Sequence, residues 1–155
     1  MRNFLNQEEA TFYHITPIEN WERIKNEGLI LNDGQIFVSR VGEFPVLLAI
    51  ALEQLPDIYH SEGIVILKLP QAKNNFKPNE IIRDNQSNEW TQPFQNIILR
   101  NHIPVENIEF MMELRFGNEG TFKDIFITHL TSVANSGRVN FANHAIMHRS
   151  LNLKY

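Results

Sequence analysis

The stretch TFYHITPIENWERIKNEGL, residues 11–29, decides the fold of this chain. Its first five residues are mostly β-branched or aromatic, which is typical of a strand. Thr16 and Pro17 then predict the start of a helix, and Glu19 completes a capping box three residues after Thr16. Gly28 stands where a left-handed helix end is expected. The stretch therefore predicts a strand, a turn and a short helix.

The rest of the chain predicts one more helix and a series of strands. Leu29–Leu31 and Gln35–Ser39 predict a hairpin around the turn Asn32-Asp33-Gly34. The apolar run from Pro45 to Leu55 predicts a buried helix. Further strands are predicted at Gly63–Leu69, Glu80–Arg83, Asn96–Arg100, Ile108–Leu114 and Asp124–Leu130. Two early helices followed mostly by strands indicate an α+β fold.

Size and composition predict a single domain over residues 1–155. The 155 residues are 43% hydrophobic and 21% charged, which is ordinary for a globular protein. The absence of cysteine excludes disulfides and thiolate metal sites. The longest apolar stretch, Pro45 to Leu52, is far shorter than the ~20 residues that a membrane-spanning helix needs. With no secretory signal in the first residues, we expect a cytoplasmic protein with no membrane partner.

The last quarter of the chain differs from the rest in charge. The net charge is −4, which argues against broad capture of nucleic acid. Residues 117–155 nevertheless contain more basic than acidic residues. We therefore expect residues 116–155 to include a segment that recognises a target molecule. Phe122 to Leu130 is nevertheless apolar enough to pack into the core. The candidate contacts for an acidic partner are Arg138, His144, His148 and Arg149.

Histidines are the first residues to consider for chemistry. His14 lies at the end of a predicted strand and just before a helix N-terminus, where polar or anionic ligand groups are favoured. Position alone still favours a structural role for His14 and a solvated position for Asn20. His144 and His148 stand four residues apart, but no third ligand lies near them in sequence, so no metal site is expected.

One pattern in the first part of the chain combines Tyr13-His14-Ile15-Thr16, Asn20 six residues after the histidine, and Gly28-Leu29. It resembles the first motif of ADP-ribosyltransferases of the His-Tyr-Glu type, which include poly-ADP-ribose polymerases and the DNA-modifying DarT toxins. In those families the histidine hydrogen-bonds a ribose hydroxyl of NAD. The resemblance implies that His14, with Ile15 and Thr16 beside it, contacts NAD, and that Asn20 supports the cofactor.

Two later segments extend the resemblance in the order that the family requires. Phe37-Val38-Ser39-Arg40, followed by a helix containing Ala49 and Ala51, is similar to the second motif. Ile103-Pro104-Val105-Glu106-Asn107-Ile108 is similar to the segment that follows the strand with the catalytic glutamate. The resemblance implies a split β-sandwich with an NAD cleft and a cofactor contact at Ser39.

The chain departs from the family pattern at three points. Many members have glycine after the histidine, whereas this chain has Ile15 there, a departure that the DarT-like branch allows. The tyrosine of the second motif has no clear counterpart, since Tyr59 lies beyond the second helix and Phe44 is an equally weak candidate. The catalytic acid is the third point, and it has several candidates.

Glu89, in Ser87-Asn88-Glu89-Trp90, resembles the context of the catalytic glutamate in the polymerases, and it is our prediction for the acid. Counting backward from Ile103-Pro104 by the spacing of DarT-like relatives gives Gln95 or Asn96 instead. Glu80 is a further possibility. An acid is needed because cleavage of the bond to nicotinamide develops positive charge on the ribose.

Together the motifs predict an NAD-dependent mono-ADP-ribosyltransferase. It would transfer ADP-ribose to a macromolecular target, either protein or nucleic acid, and release nicotinamide, as toxin-like members of the family do. Two alternatives stay open: an NAD-dependent RNA 2′-phosphotransferase, which shares the fold, and a non-catalytic module that binds NAD or a protein.

Overall fold

The fold is described by a computed structural model, which covers residues 10–31, 33–54, 60–84, 92–116, 124, 127–129 and 131–136. The strands are β1 (Thr11–Pro17), β2 (Leu29–Ile30), β3 (Ile36–Ser39), β4 (Gly63–Pro70), β5 (Ile81–Arg83), β6 (Gln95–Ile98), β7 (His102–Ile103) and β8 (Glu109–Arg115). Among these residues, the α-helices whose two ends are both described are α1 (Trp21–Glu27), α2 (Phe44–Gln54) and α3 (Gln71–Asn74).

Within the described residues, six strands form an antiparallel sheet in the order β5, β6, β3, β1, β4, β8. β1 lies inside this sheet, between β3 and β4. It pairs with β4 along its whole length, from Thr11 opposite Pro70 to Pro17 opposite Ile64. Its pairing with β3 is confined to Tyr13 opposite Ser39. A mixed helix and strand architecture, as predicted, is confirmed.

The two faces of the sheet carry separate hydrophobic clusters, because side chains along a strand alternate between its faces. The first cluster lies on the face that holds α1 and includes Phe12, Ile24 and Leu67. The second lies on the face that holds α2 and includes Ala51 and Ile64. The two early helices therefore cover opposite faces.

The predicted capping box in the first stretch is wrong. Pro17 keeps an extended backbone, with ψ at 143°, so the strand continues past Thr16. A 3-10 turn, Ile18–Asn20, then leads into α1. The Glu19 carboxylate contacts a distant part of the chain. It accepts hydrogen bonds from the Ser61 hydroxyl, at 2.6 Å, and from the backbone N–H of Glu62, at 2.9 Å. These bonds hold the segment before β4 in place.

The predicted hairpin is also wrong, although both of its strands exist. β2 pairs with β7 through Leu29 and Ile103, whereas β3 pairs with β1 and β6. Leu29 and Ile103 are both buried in the first cluster, so this pairing satisfies the core. Gly28, with φ at +80°, makes the approach possible because a Cβ there would collide with the carbonyl oxygen of Ile103.

Most of the other predicted elements are confirmed. The predicted buried helix is α2, and the strand predictions around β4, β5, β6 and β8 hold within two residues. The predicted strand Asp124–Leu130 is wrong, because residues 127–129 and 131–136 are helical. None of the helices among the described residues is long and apolar enough to cross a membrane.

The last described helical residues belong to the core. Ile127 is 0% exposed and Ala134 is 2% exposed, and both pack in the second cluster. Part of the segment predicted to recognise the target therefore completes the fold. The candidate contacts Arg138, His144, His148 and Arg149 lie outside the described residues.

Candidate functional site

A cleft lies beside the single residue pair that joins β1 and β3. It has a volume of about 200 Å³, and α2 forms one of its walls. β1, β3 and β6 contribute the other walls, and most of the lining surface is apolar. The polar side chains that line it come from separate elements and are Tyr13, His14, Ser39, Gln54 and Gln95.

His14 spans the gap between β1 and β3. Its Nδ1 lies 2.8 Å from the carbonyl oxygen of Phe37. Because a carbonyl can only accept, Nδ1 carries the proton and Nε2 is left as an acceptor. Burial lowers the pKa of His14 from its usual value of 6.5, and the bond to Phe37 opposes this in part. The ring is therefore neutral at pH 7, with Nε2 suited to accept a hydrogen bond from a hydroxyl.

Ser39 ends β3 and fixes the turn that follows it. Its hydroxyl donates to the carbonyl of Val41 at 2.8 Å and accepts from the N–H of Val41 at 3.1 Å. The turn brings Gly42 under the ring of Tyr13, where a Cβ would overlap the ring. Ser39 thus shapes the cleft wall, and Gly42 leaves room for an aromatic ring beside it.

Gln95 is the first residue of β6 and is 2% exposed. It lies opposite Ser39, which lies opposite Tyr13, so the three strands bring these residues into one row. Gln54, at the end of α2, donates from Nε2 to Oε1 of Gln95 at 3.2 Å. This bond fixes the orientation of the Gln95 amide and ties α2 to β6 across the cleft.

The structure brings three of the predicted cofactor residues to the cleft, namely His14, Ile15 and Ser39. Thr16 and Asn20 do not line it. Asn20 instead donates from Nδ2 to the hydroxyl of Thr16 at 2.9 Å, which joins the end of β1 to the following 3-10 turn. In the second motif, Ala49 and Ala51 both pack in the second cluster, and Ala51 also lines the cleft.

The candidates for the acid fall in different places. Glu89, our predicted catalytic residue, lies outside the described residues, as does Tyr59. Glu80 lies away from the cleft and forms an ion pair with Arg100 at 2.7 Å. The hydrogen bond from Arg100 lowers the pKa of Glu80 below its usual value of 4.5.

Of the two positions reached by counting backward, Gln95 is the one that lines the cleft. Among the described residues that line it, none is a carboxylate.

Gln54 is the site residue that sequence reasoning missed. The sequence signal for Gln54 was its spacing on α2. It stands four residues after Ile50 and three after Ala51, which places all three on the same side of the helix. Among the described residues, no group of three or more histidine, aspartate or glutamate side chains could hold a metal ion. No protein-family model matches the sequence, and no curated protein matches it at a significant level.

Proposed function

We propose that the cleft binds NAD and that the chain is a domain of the ADP-ribosyltransferase type, with a split β-sandwich fold. One observation carries the proposal. His14 on β1, Ser39 on β3 and Gln95 on β6 lie far apart in sequence, each in or near one of the three motif-like segments, and they line one cleft. Independent resemblances would have no reason to converge in this way.

The chemistry of the lining supports recognition of the nicotinamide half of NAD. The neutral His14 ring offers Nε2 to a ribose hydroxyl. Apolar and aromatic walls suit a flat ring, and the small side chain of Ala51 leaves space for it. The amides of Gln54 and Gln95 match a carboxamide, which both donates and accepts hydrogen bonds.

Transfer of ADP-ribose to a macromolecule is the activity that we propose for this domain. Breaking the bond to nicotinamide develops positive charge on the ribose, and a nearby carboxylate stabilises that charge. Glu89 stays our prediction for the carboxylate.

The position of Gln95 favours a second candidate, a non-catalytic NAD-binding module. Gln95 stands in the cleft at the start of the strand that the family uses for its acid, and an amide carries no charge. A domain with glutamine there would keep recognition of NAD and lose the reaction.

Titration calorimetry with NAD and chromatography of released nicotinamide separate these functions. For a transferase, wild-type protein releases nicotinamide, and Glu89→Gln lowers the rate by about 10²-fold or more. For a binding module, wild-type protein binds NAD without releasing nicotinamide, and Gln95→Glu creates measurable release. Gln35→Glu, the same change in the turn before β3, is the control and should do neither. Absence of NAD binding would contradict both candidates.

A further inference from the structure

A second pocket of about 230 Å³ lies beside the cleft that His14 lines, at the end of the sheet formed by β3, β5 and β6. Gln95 lines both cavities, so the two are adjacent. Two arginines line this second pocket: Arg40, which directly follows β3, and Arg83, which ends β5. Among the described residues that line it, none is a carboxylate.

The two guanidinium groups are close enough to affect each other. The pKa of Arg40 is lowered, first by partial burial and then by the positive charge of Arg83. Arginine still stays charged at neutral pH, so the pocket concentrates two positive charges. Arg40 also donates a hydrogen bond to the carbonyl of Pro93, which fixes its side chain in place. Two convergent arginines are a common arrangement for binding a phosphate group.

The remaining walls favour a nucleotide over a simple anion. Pro78 and Ile81 give an apolar surface against which a base or sugar can pack. Gln92 and Asn96 add amide groups that can hydrogen-bond the edge of a base. Asn96 is 8% exposed; its Nδ2 donates to the carbonyl of Ile82 at 3.0 Å, but its Oδ1 accepts no hydrogen bond in the described structure.

We propose that this second pocket binds a nucleoside monophosphate, either free or at the 5′ end of a single strand, with Arg40 and Arg83 on the phosphate. Its size suits one nucleotide rather than a duplex, consistent with a chain whose net charge is −4. The inference rests on charge and shape and does not require that the cleft bind NAD. A nucleotide held there would lie next to the cleft, across Gln95.

Binding of thymidine monophosphate, followed by calorimetry, tests the free ligand. Fluorescence anisotropy with a labelled hexathymidylate, with and without a 5′ phosphate, tests the strand. We expect removal of the phosphate to weaken binding at least tenfold, and Arg83→Gln to weaken it about three- to tenfold. The double variant Arg40→Gln with Arg83→Gln should weaken it more than tenfold. Arg23→Gln, the same change on the exposed side of α1, is the charge-matched control and should leave binding unchanged.

Several outcomes would overturn the proposal. These are equal binding of the phosphorylated and unphosphorylated strands, no effect of Arg83→Gln, and equal binding of a phosphoserine peptide. Displacement of the nucleotide by saturating NAD would show that the pocket belongs to the dinucleotide site. Arg40→Gln can disturb the turn at Pro93, so Arg83→Gln alone, with an unchanged melting temperature, keeps the test decisive.

Discussion

The two edges of β1 are used in opposite ways. Toward β4, all seven residues of β1 have a partner, whereas toward β3 there is one pair, Tyr13 with Ser39. On the β4 side the neighbouring residues are a run of buried aliphatic side chains, so a continuous ladder is favoured. On the β3 side, Phe37, Val38 and Ser39 line a cleft together with residues of α2. One strand therefore holds the fold together along one edge and presents the candidate ligand site along the other.

The part of the sheet beyond the cleft is connected to the rest at a second place. Arg100, which follows β6, donates to Glu80 at 2.7 Å and to the backbone carbonyl of Asn74 at 3.0 Å. Its guanidinium carbon also lies 4.5 Å from the centre of the Phe76 ring. Because Asn74 and Phe76 follow β4 through α3, this Arg100 cluster joins the two sides that the cleft separates.

The largest effect should come from weakening the β4 edge. Leu67, opposite His14, is 0% exposed and belongs to the first cluster. Leu67→Ala should lower the free energy of unfolding by about 2–5 kcal/mol, because it removes buried methyl groups and leaves a cavity. Urea denaturation measures the loss. Val105→Ala, at a position 38% exposed, is the control and should change little. A loss below about 1 kcal/mol for Leu67→Ala would show that this edge is not the stabilising one.

The open edge should respond in binding rather than in stability. His14→Ala removes the bond to Phe37, worth about 1 kcal/mol, and the acceptor that we assign to a ribose hydroxyl. We expect NAD affinity to fall by about 1.5–3 kcal/mol, measured by calorimetry, while the circular dichroism spectrum is unchanged.

A second histidine provides the control for this substitution. His102 makes the same kind of bond, from Nε2 to the carbonyl of Glu27 at 2.9 Å, outside the cleft. His102→Ala should therefore leave NAD affinity unchanged. Equal NAD affinities for wild type and His14→Ala would remove the assigned role.

The smallest effect concerns the Arg100 cluster and depends on pH. Since Arg100 lowers the pKa of Glu80 below 4.5, the charged carboxylate stabilises the folded state above that pH. The stabilisation is lost as pH falls through the lowered pKa. Glu80→Gln should cost about 1 kcal/mol at pH 7 and less at a pH below 4.5, as measured by urea denaturation at both values.

Glu22→Gln, in the exposed pair with Lys25, is the control for the Arg100 cluster and should have a smaller effect at both pH values. A cost for Glu80→Gln that did not change with pH would indicate that packing, rather than charge, is responsible.

Helices and strands that are specified by their own residues could be predicted from the sequence. Strand pairings that depend on residues far apart in the sequence could not. β1, β4 and α2 follow from composition and from glycine and proline at their borders. The hairpin prediction failed because the burial of Leu29 against Ile103, distant in sequence, outweighs the local turn. The strand prediction for Asp124–Leu130 failed because a short apolar run has no hydrophobic periodicity that distinguishes a strand from a buried helix.

The site shows the same division. His14 and Ser39 were predicted from motifs that place them at strand ends. Thr16 and Asn20 belong to the same first motif, but they bond to each other and do not line the cleft. The spacing of Gln54 from Ile50 and Ala51 places the three on one side of α2, but which side of α2 faces the cleft depends on how the helix lies across the sheet, and no local pattern in the sequence encodes that.

The single pair between Tyr13 and Ser39 has a consequence for amide hydrogen exchange. Alternate backbone N–H groups of an antiparallel strand point toward opposite neighbours. The N–H groups of β1 that point toward β4 belong to a continuous ladder with that strand. Away from the pair of Tyr13 and Ser39, the N–H groups that point toward β3 border the cleft. Exchange along β1 should therefore alternate between slow and fast from one residue to the next. A molecule that fills the cleft would slow only the fast set, so occupancy could be followed within a single strand.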